Sequence, residues 1–411
     1  MRVSRSSLLP LILIVGVVAA PDARQAGAPA PAAPAAAAAA PQGRGGGPVV
    51  SPEVGADGRV TFRLRAPNAR EVAVALPGGL RLPMQKDEQG LWTATSDTLP
   101  PDVYAYSLVV DGANINDPSN RQAQTSFSNF QSMFMVPGPT PWLPAPGVPR
   151  GAITRHAFHS AVANDDRDFF VYTPPGYDPR RARPYPVLYL LHGLGDDAER
   201  WLSGGGGAHN ILDNLIAKGD AVPMVVVSPL GYGTSRGPAG GRTPENITGY
   251  EAILLNEVMP VVEKSYHVSR NRDERAIAGL SMGGAESLYV GLNHLDRFAW
   301  IGAFSTAAML WPPAAAVAPA PGGRGAGGAS PLTAEIFAKT FPSLSAKDNS
   351  RIRMLWIVCG TADGLIGVNR QFKDWLRSQN VRFTEQEVPD MAHVWPLWRQ
   401  NVADMVPKLF R

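Results

Sequence analysis

Two rhythms of apolar residues divide the chain. Between residues 50 and 137 apolar positions alternate with polar ones: Val60, Phe62 and Leu64, then Val72 and Val74, then the region of Trp92, then Tyr104, Tyr106 and Leu108, with turn residues between the runs. Period two is the repeat of a strand with one covered face, and several short runs at regular spacing predict a small β-sandwich. From residue 153 to Arg411 the pattern changes. Apolar runs recur at Phe169 to Tyr172, Val187 to Leu191, Met224 to Val227, Ala276 to Ala278, Ile301 to Phe304, Met354 to Val358 and Phe383 to Val388. Between them lie stripes at helical spacing: Ile211, Leu212, Leu215 and Ile216; Ile253, Leu254, Val258, Val261 and Val262; Trp398, Val402, Met405, Val406 and Leu409. Apolar strands alternating with amphipathic helices predict an α/β domain, with a mostly parallel sheet covered on both faces.

The segments outside these rhythms have their own signatures. Arg2 and Arg5, the apolar run Leu8 to Val18 and the small residues after it predict a secretory signal over residues 1–23, and hence a secreted or periplasmic protein. Residues 24–49, rich in Ala, Pro and Gly, predict an extended disordered linker, and the proline-rich residues 138–152 a stiffer one. Residues 312–331, again Pro, Ala and Gly, read as a surface insertion. No later stretch reaches membrane-spanning length. The net charge of +3, with no basic stripe, argues against a nucleic-acid partner. Cys359 is the only cysteine, so no intrachain disulfide can form, and its place at the end of an apolar run predicts a buried, inert thiol. No metal-ligand spacing occurs, and no cofactor is expected.

The candidate chemistry begins at Gly279-Leu280-Ser281-Met282-Gly283. It follows an apolar run and precedes a helical segment, the context of a nucleophile elbow, in which a strained strand-to-helix turn presents the serine hydroxyl. A second match, Gly233-Thr234-Ser235-Arg236-Gly237, runs into Pro238, Gly240 and Gly241, where no helix can start cleanly, and reads as a loop. A serine hydroxyl needs a base and an acid that orients the base, with the expected chain order serine, acid, histidine. Two histidines follow Ser281. His294 belongs to the end of the helix that the elbow starts, which aims it away. His393 lies just past the last strand and is the expected base. Asp363, directly after the strand Met354 to Val358, is the expected acid, with Asp390, three residues before His393, as competitor. Backbone N–H groups of Met282 and Leu194 are the expected oxyanion donors, the latter from His192-Gly193-Leu194-Gly195. His192 and Gly193 are then structural.

Residues 153–411 resemble carbohydrate esterase family 1, notably the feruloyl esterase domains attached to bacterial xylanases. The resemblance rests on Tyr189-Leu190-Leu191-His192-Gly193, Trp201 with Gly204 to Gly207, Asp213-Asn214-Leu215-Ile216-Ala217, Ala276 to Gly284, Gly360 to Asp363, and His393. It implies an α/β-hydrolase fold and a triad that falls on Ser281, Asp363 and His393. Residues 50–137 resemble the early-set domains related to carbohydrate-binding module family 48, on Gly90-Leu91-Trp92, Val103-Tyr104-Ala105-Tyr106, Asp111-Gly112 and Asp117-Pro118. Tyr104 and Tyr106 share one strand face, as core residues do, so packing or positioning is the expected role of that domain, and whether it also binds glycan is open. The resulting expectation is an exported serine ester hydrolase whose partner is an acylated polysaccharide or oligosaccharide, feruloyl esters first and acetyl esters second. Trp201, Trp311 and Trp395 are candidates to line an aromatic acyl pocket. A siderophore esterase of the enterochelin type and a non-catalytic glycan-binding protein are the alternatives. The acyl group, the polysaccharide and the oligomeric state are open.

Overall fold

The computed structural model describes residues 48–124, 126–128, 130–243, 245–315 and 332–411. The expected signal segment, nearly all of the 24–49 linker and the 312–331 insertion beyond its first residues lie outside the described residues. Alternation in the front half resolves into two facing sheets. Val60–Arg65 and Leu91–Thr95 pair antiparallel in a four-stranded sheet edged by Glu53–Val54 and Gln85–Lys86. In the other, six-stranded sheet, Asp102–Val110 runs between Val72–Ala75 and Gln131–Val136. Every second residue turns inward: Val60, Phe62, Leu64 and Trp92 from one sheet meet Val72, Val74, Tyr106, Leu108, Phe134 and Val136 from the other. Tyr106 is fully buried 5.0 Å from Phe62, and Tyr104 stacks on Phe134 at 5.2 Å. The alternate residues of the second sheet, Val103 and Met133 among them, face the rest of the chain, where Gly205 backs against both.

The remainder is built on one eight-stranded sheet: β1 (Ala152–Ser160), β2 (Asp165–Thr173), β3 (Val187–Leu191), β4 (Val225–Pro229), β5 (Arg275–Leu280), β6 (Trp300–Phe304), β7 (Met354–Gly360) and β8 (Thr384–Val388). Its order is β1-β2-β4-β3-β5-β6-β7-β8. β1 and β2 are antiparallel to their neighbours, and β3 to β8 run parallel. The central strands β3, β6 and β7 are apolar nearly throughout because both faces are covered. Val187, Tyr189 and Leu191 of β3 enter one core with the helices α2 (Glu245–Ile253), α3 (Met259–Ser265), α4 (Met282–Asn293) and α6 (Ile366–Ser378), to which α5 (Ala334–Thr340) adds Phe337. Leu188 and Leu190 enter the other core with α1 (Ala208–Lys218) and α7 (Trp395–Met405).

Both sheet edges depart from the apolar pattern. β1 was not expected from the sequence; it alternates between exposed and half-buried residues, which gives it no continuous apolar run. β8 carries Glu385 and Glu387, whose carboxylates reach the buried Lys373 ammonium at 2.8 and 2.7 Å. Charge on an edge strand discourages pairing with another chain. Burial pushes the Cys359 thiol up to about 12, as suits an unreactive core residue. Among the described residues no helix is long and apolar enough to cross a membrane.

The proline-rich segment after the sandwich is a docked strap rather than a free spacer. Asn214 of α1 donates to the carbonyls of Pro141 and Leu143, each at 2.8 Å, and Leu143 is buried. The front sheets and the α/β layer belong to one compact unit over Val49–Arg411. Asp102 at the start of its strand accepts from Arg399 of α7 at 2.7 Å and from the Trp142 indole at 2.8 Å. Arg200 donates to Gln124 at 2.6 Å, and Ser128 N–H to the Gly195 carbonyl at 3.1 Å. Burial lowers the Arg399 guanidinium to about 10, which leaves it charged at neutral pH. Removing one member of a buried pair strands the other, which typically costs about 3–5 kcal/mol. Asp102→Ala is therefore expected to lower the unfolding free energy by about that much, read from urea denaturation; a change under about 1 kcal/mol would show the pair to be unimportant.

Candidate active site

β5 ends at Leu280 and α4 begins at Met282, so Ser281 alone makes the turn between them. Its φ of 54° and ψ of −113° are costly for a residue with a side chain, and such strain persists only where the surroundings impose it. Here two close approaches do so. A methyl group on Gly283 would lie 2.5 Å from the His192 carbonyl oxygen, and one on Gly193 would lie 2.6 Å from Leu280 Cδ1 and 3.4 Å from Ser281 Cβ. The elbow and the His192–Gly195 loop therefore press on each other with no room for side chains. Ser281 caps the N-terminus of α4, where unpaired N–H groups and the helix dipole favour negative charge.

Main-chain hydrogen bonds continue the sheet beyond its strand ends and carry three loops with them. Ser281 N–H donates to the Phe304 carbonyl at 2.8 Å, and the Ser281 carbonyl accepts from Ala307 at 3.0 Å. Ser305 N–H donates to Val358 at 2.7 Å, Thr361 N–H to Val388 at 2.9 Å and Ala362 N–H to Met391 at 3.1 Å. The loops after β5, β7 and β8, which hold Ser281, Asp363 and His393, are thus joined at one edge.

Asp363 Oδ2 lies 2.9 Å from His393 Nδ1, and Oδ1 accepts from Leu365 N–H at 2.8 Å. The Asp363 side chain is wholly buried, while 37% of the His393 side chain is exposed. Burial raises the Asp363 carboxyl. The His393 hydrogen bond and charge, the Leu365 N–H and the Ser305 hydroxyl outweigh it and hold the group below its ordinary range. The ionised acid can only accept, so Nδ1 carries the proton and Nε2 is left to act as a base. Trp398 meets the His393 ring edge-on at 4.8 Å and donates its indole N–H to Ser305 Oγ at 3.1 Å. The Ser281 hydroxyl makes no hydrogen bond to His393 in this conformation; such contacts often close only when substrate binds. Asp390, the competitor, sits in a left-handed turn with φ of 58°, exposed, its N–H on Thr361 Oγ1 at 2.9 Å. His294 pairs with Glu251 at 2.6 Å beyond the far end of α4, and Ser235 is on an exposed loop.

The N–H groups of Met282 and Leu194 have no hydrogen-bond acceptor among the described residues. The loop that presents Leu194 is braced from below. His192 Nδ1 bonds the Gly193 carbonyl at 2.8 Å, and Nε2 accepts from Gly231 N–H at 2.9 Å. The Tyr232 hydroxyl accepts from Gly195 N–H at 2.8 Å and donates to the Asp196 carbonyl at 3.0 Å. Glu286, one turn into α4, is fully buried beside this brace; burial raises its carboxyl well above the ordinary range, and Asn246 donates to Oε1 at 3.4 Å.

The three tryptophans divide. Trp201 and Trp311 have no exposed surface and cannot touch a substrate, which corrects the expectation that they line a pocket. Trp201 bonds the Leu191 carbonyl at 2.8 Å, and Trp311 bonds the Ala285 carbonyl at 2.9 Å inside a cluster with Phe341 and Phe372. Buried indoles go where a carbonyl can accept their N–H. Trp395 is half-buried under the Arg200 guanidinium, 4.4 Å from its ring, and lines a cavity of about 320 Å³ together with His393. Sequence reasoning missed Ser305, which supports both Asp363 and Trp398, and Tyr232. The only local sign of Ser305 was a hydroxyl residue directly after an apolar strand.

A family model described as "Putative esterase" matches residues 160–409. The chain is 28% identical over 373 residues to the endo-1,4-beta-xylanase/feruloyl esterase of Xylanibacter ruminicola, covering 88% of this chain and 46% of that protein. It is 30% identical over 194 residues to endo-1,4-beta-xylanase Y of Acetivibrio thermocellus, covering 44% and 17%. The chain thus spans less than half the length of these relatives. Among solved structures, a CE1 ferulic acid esterase from Anaeromyces mucronatus, in complex with ferulic acid, aligns with a TM-score of 0.54 and 26% identity over 66% of this chain and 94% of that one. The enterobactin esterase of Shigella flexneri aligns with a TM-score of 0.59 and 20% identity over 86% and 93%, and shares the fold.

Burial lowers the His192 ring to about 4, so the folded protein keeps it neutral while the unfolded chain protonates it near 6.5. Between those values the unfolded state binds the extra proton, and stability is lost as pH falls. Between pH 7 and pH 4 the wild type is expected to lose on the order of 3 kcal/mol more unfolding free energy than His192→Gln. Parallel pH profiles for the two proteins would contradict the neutral assignment.

Proposed function

Because this chain belongs to the esterase family, we propose that it is a serine carboxylic-ester hydrolase that removes feruloyl or related acyl groups from plant polysaccharide. The observation that carries the mechanism is the hydrogen bond that a buried, ionised Asp363 accepts from His393 Nδ1–H, at the sheet edge where the elbow presents Ser281. In this reading His393 Nε2 takes the Ser281 proton as Oγ attacks the ester carbonyl. The carbonyl oxygen becomes an oxyanion held by Met282 N–H and Leu194 N–H. His393 then gives its proton to the leaving alcohol, and an acyl-Ser281 remains. Water, deprotonated by His393, attacks that acyl carbon; the second tetrahedral intermediate collapses, releasing the acid and returning the proton to Ser281. Asp363 orients the ring and stabilises the imidazolium in both half-reactions.

The substrate class is supported by the names of the relatives: feruloyl esterase for the Xylanibacter ruminicola protein and ferulic acid esterase for the Anaeromyces mucronatus structure. Export is supported by Arg2, Arg5 and the apolar run Leu8 to Val18.

An aryl acetate assay tests the mechanism. The wild type is expected to turn over, and Ser281→Ala to lose several orders of magnitude in kcat/KM. Asp363→Asn is expected to fall on the order of 10³–10⁴-fold, and Asp390→Asn to stay within about threefold, in line with an ordinary surface change. Equal rates for wild type and Ser281→Ala would remove the proposal. Methyl ferulate, acetylated xylan and a catechol trilactone then rank the acyl group, and preference for either of the last two would move the substrate away from feruloyl esters.

A further inference from the structure

Leu194, whose N–H is the second candidate oxyanion donor, sits in a tight turn that is gripped from two sides. Asp196 N–H donates to the Gly193 carbonyl at 3.2 Å and closes the turn, with Leu194 and Gly195 at its centre. Gly195 has φ of 94°, which the third residue of a type II turn requires and which glycine adopts without a Cβ clash. The Gly193 carbonyl also accepts from His192 Nδ1 at 2.8 Å. Leu194 N–H belongs to the same trans peptide and so points the opposite way. The peptide after it is held by Gly195 N–H, which donates to the Tyr232 hydroxyl at 2.8 Å. His192 and Tyr232 both belong to the α/β layer.

The other grip comes from the front sandwich. The Gly195 carbonyl accepts from Ser128 N–H at 3.1 Å, and the approach is close: a methyl group on Gly195 would lie 2.5 Å from Ser128 Oγ. Next to Ser128, Phe127 meets the buried Tyr232 ring edge-on at 5.7 Å. The Tyr232 hydroxyl also donates to the Asp196 carbonyl at 3.0 Å, so the ring that Phe127 backs holds the turn at its centre and at its end. These contacts oppose a specific distortion. Type I and type II turns differ by about half a rotation of the central peptide, here Leu194–Gly195, and a turn released from its outer partners is free to make it.

We propose that Phe127 and Ser128 are positioning residues: through the turn Gly193–Asp196, the front sandwich holds the Leu194 N–H where the oxyanion forms. The inference rests on the serine ester hydrolase reading above. Neither residue lines the cavity beside His393, so the dependence does not run through a contact with the alcohol of the substrate. An oxyanion donor acts on charge that exists only in the transition state. A displacement of about 1 Å can cost on the order of 10²-fold in rate. Loosening the turn should therefore lower kcat and leave KM almost unchanged.

The test uses the full chain and an aryl acetate, whose acyl group is too short to reach across to the sandwich. Ser128→Pro removes the N–H that holds Gly195, and Phe127→Ala removes the ring behind Tyr232. Each is expected to lower kcat about tenfold or more, with KM within about twofold. Each is also expected to weaken inhibition by methylboronic acid by a similar factor, because its tetrahedral adduct with Ser281 places an oxygen between the same donors. Phe127→Tyr, which keeps the ring, is expected to recover most of the kcat that Phe127→Ala loses. Circular dichroism and the urea midpoint identify folded variants, and Phe127→Ala decides if Ser128→Pro does not fold. A folded variant of either kind with wild-type kcat would overturn the positioning role. So would a loss confined to KM, or a fall in kcat with boronate affinity intact. Absence of hydrolysis by the wild type, or equal rates for wild type and Ser281→Ala, would instead sink the hydrolase reading on which the inference rests.

Discussion

Hydrogen bonds that prolong the sheet past its own strands are the constraint on which the site depends. Ser281, Asp363 and His393 are on separate loops, and loops are ordinarily the least fixed parts of a fold. Here each loop inherits the register of the strand before it. The elbow is tied to Phe304 and Ala307, the next turn to Val358, and the Asp363 loop to Val388 and Met391. Parallel strands beginning at one edge and ending at another bring their carboxyl ends together, which is why the reacting groups of such sheets gather there. The strain at Ser281 is sustained by the same arrangement, since relaxing it would move the backbone away from its partners.

Buried ionisable groups around this edge are kept in different charge states by their surroundings. Asp363 is ionised because the Leu365 N–H, a hydroxyl and an imidazole converge on it. At His192 and Glu286, also buried, desolvation is the dominant cause: it lowers the His192 ring and raises the Glu286 carboxyl, each toward its neutral form. The contrast separates the candidate acid from the groups that shape the loop beneath the elbow. A neutral His192 can accept from Gly231 and bond Gly193 at once, which a protonated ring cannot do.

Much of this was legible in the sequence because the signals are local. The elbow announces itself by glycines two residues either side of Ser281, between an apolar run and a helix, and the interior strands by unbroken apolar residues. His393 and Asp363 followed from their positions just after strands. The tryptophans were not legible, because spacing does not say whether an indole after a strand finds a carbonyl in the core, as Trp201 and Trp311 do, or stays at the rim, as Trp395 does. The edge strand Ala152–Ser160 was missed because its exposed side gives it no apolar run. The strap over residues 138–152 and the contact of Asp102 with Arg399, 297 residues away, were invisible for a different reason: proline content and single charges carry no information about distant partners.

Helix α7 has two duties within its first turn and a half. Trp398 backs the His393 imidazole, and the next residue, Arg399, grips the sandwich through Asp102. A recombination event that exchanged the front module for an unrelated one would leave that arginine buried opposite no carboxylate, one residue from the imidazole's support. Exchange of the front module alone is therefore obstructed at this junction. The two halves of Val49–Arg411 are bound to be inherited as a pair.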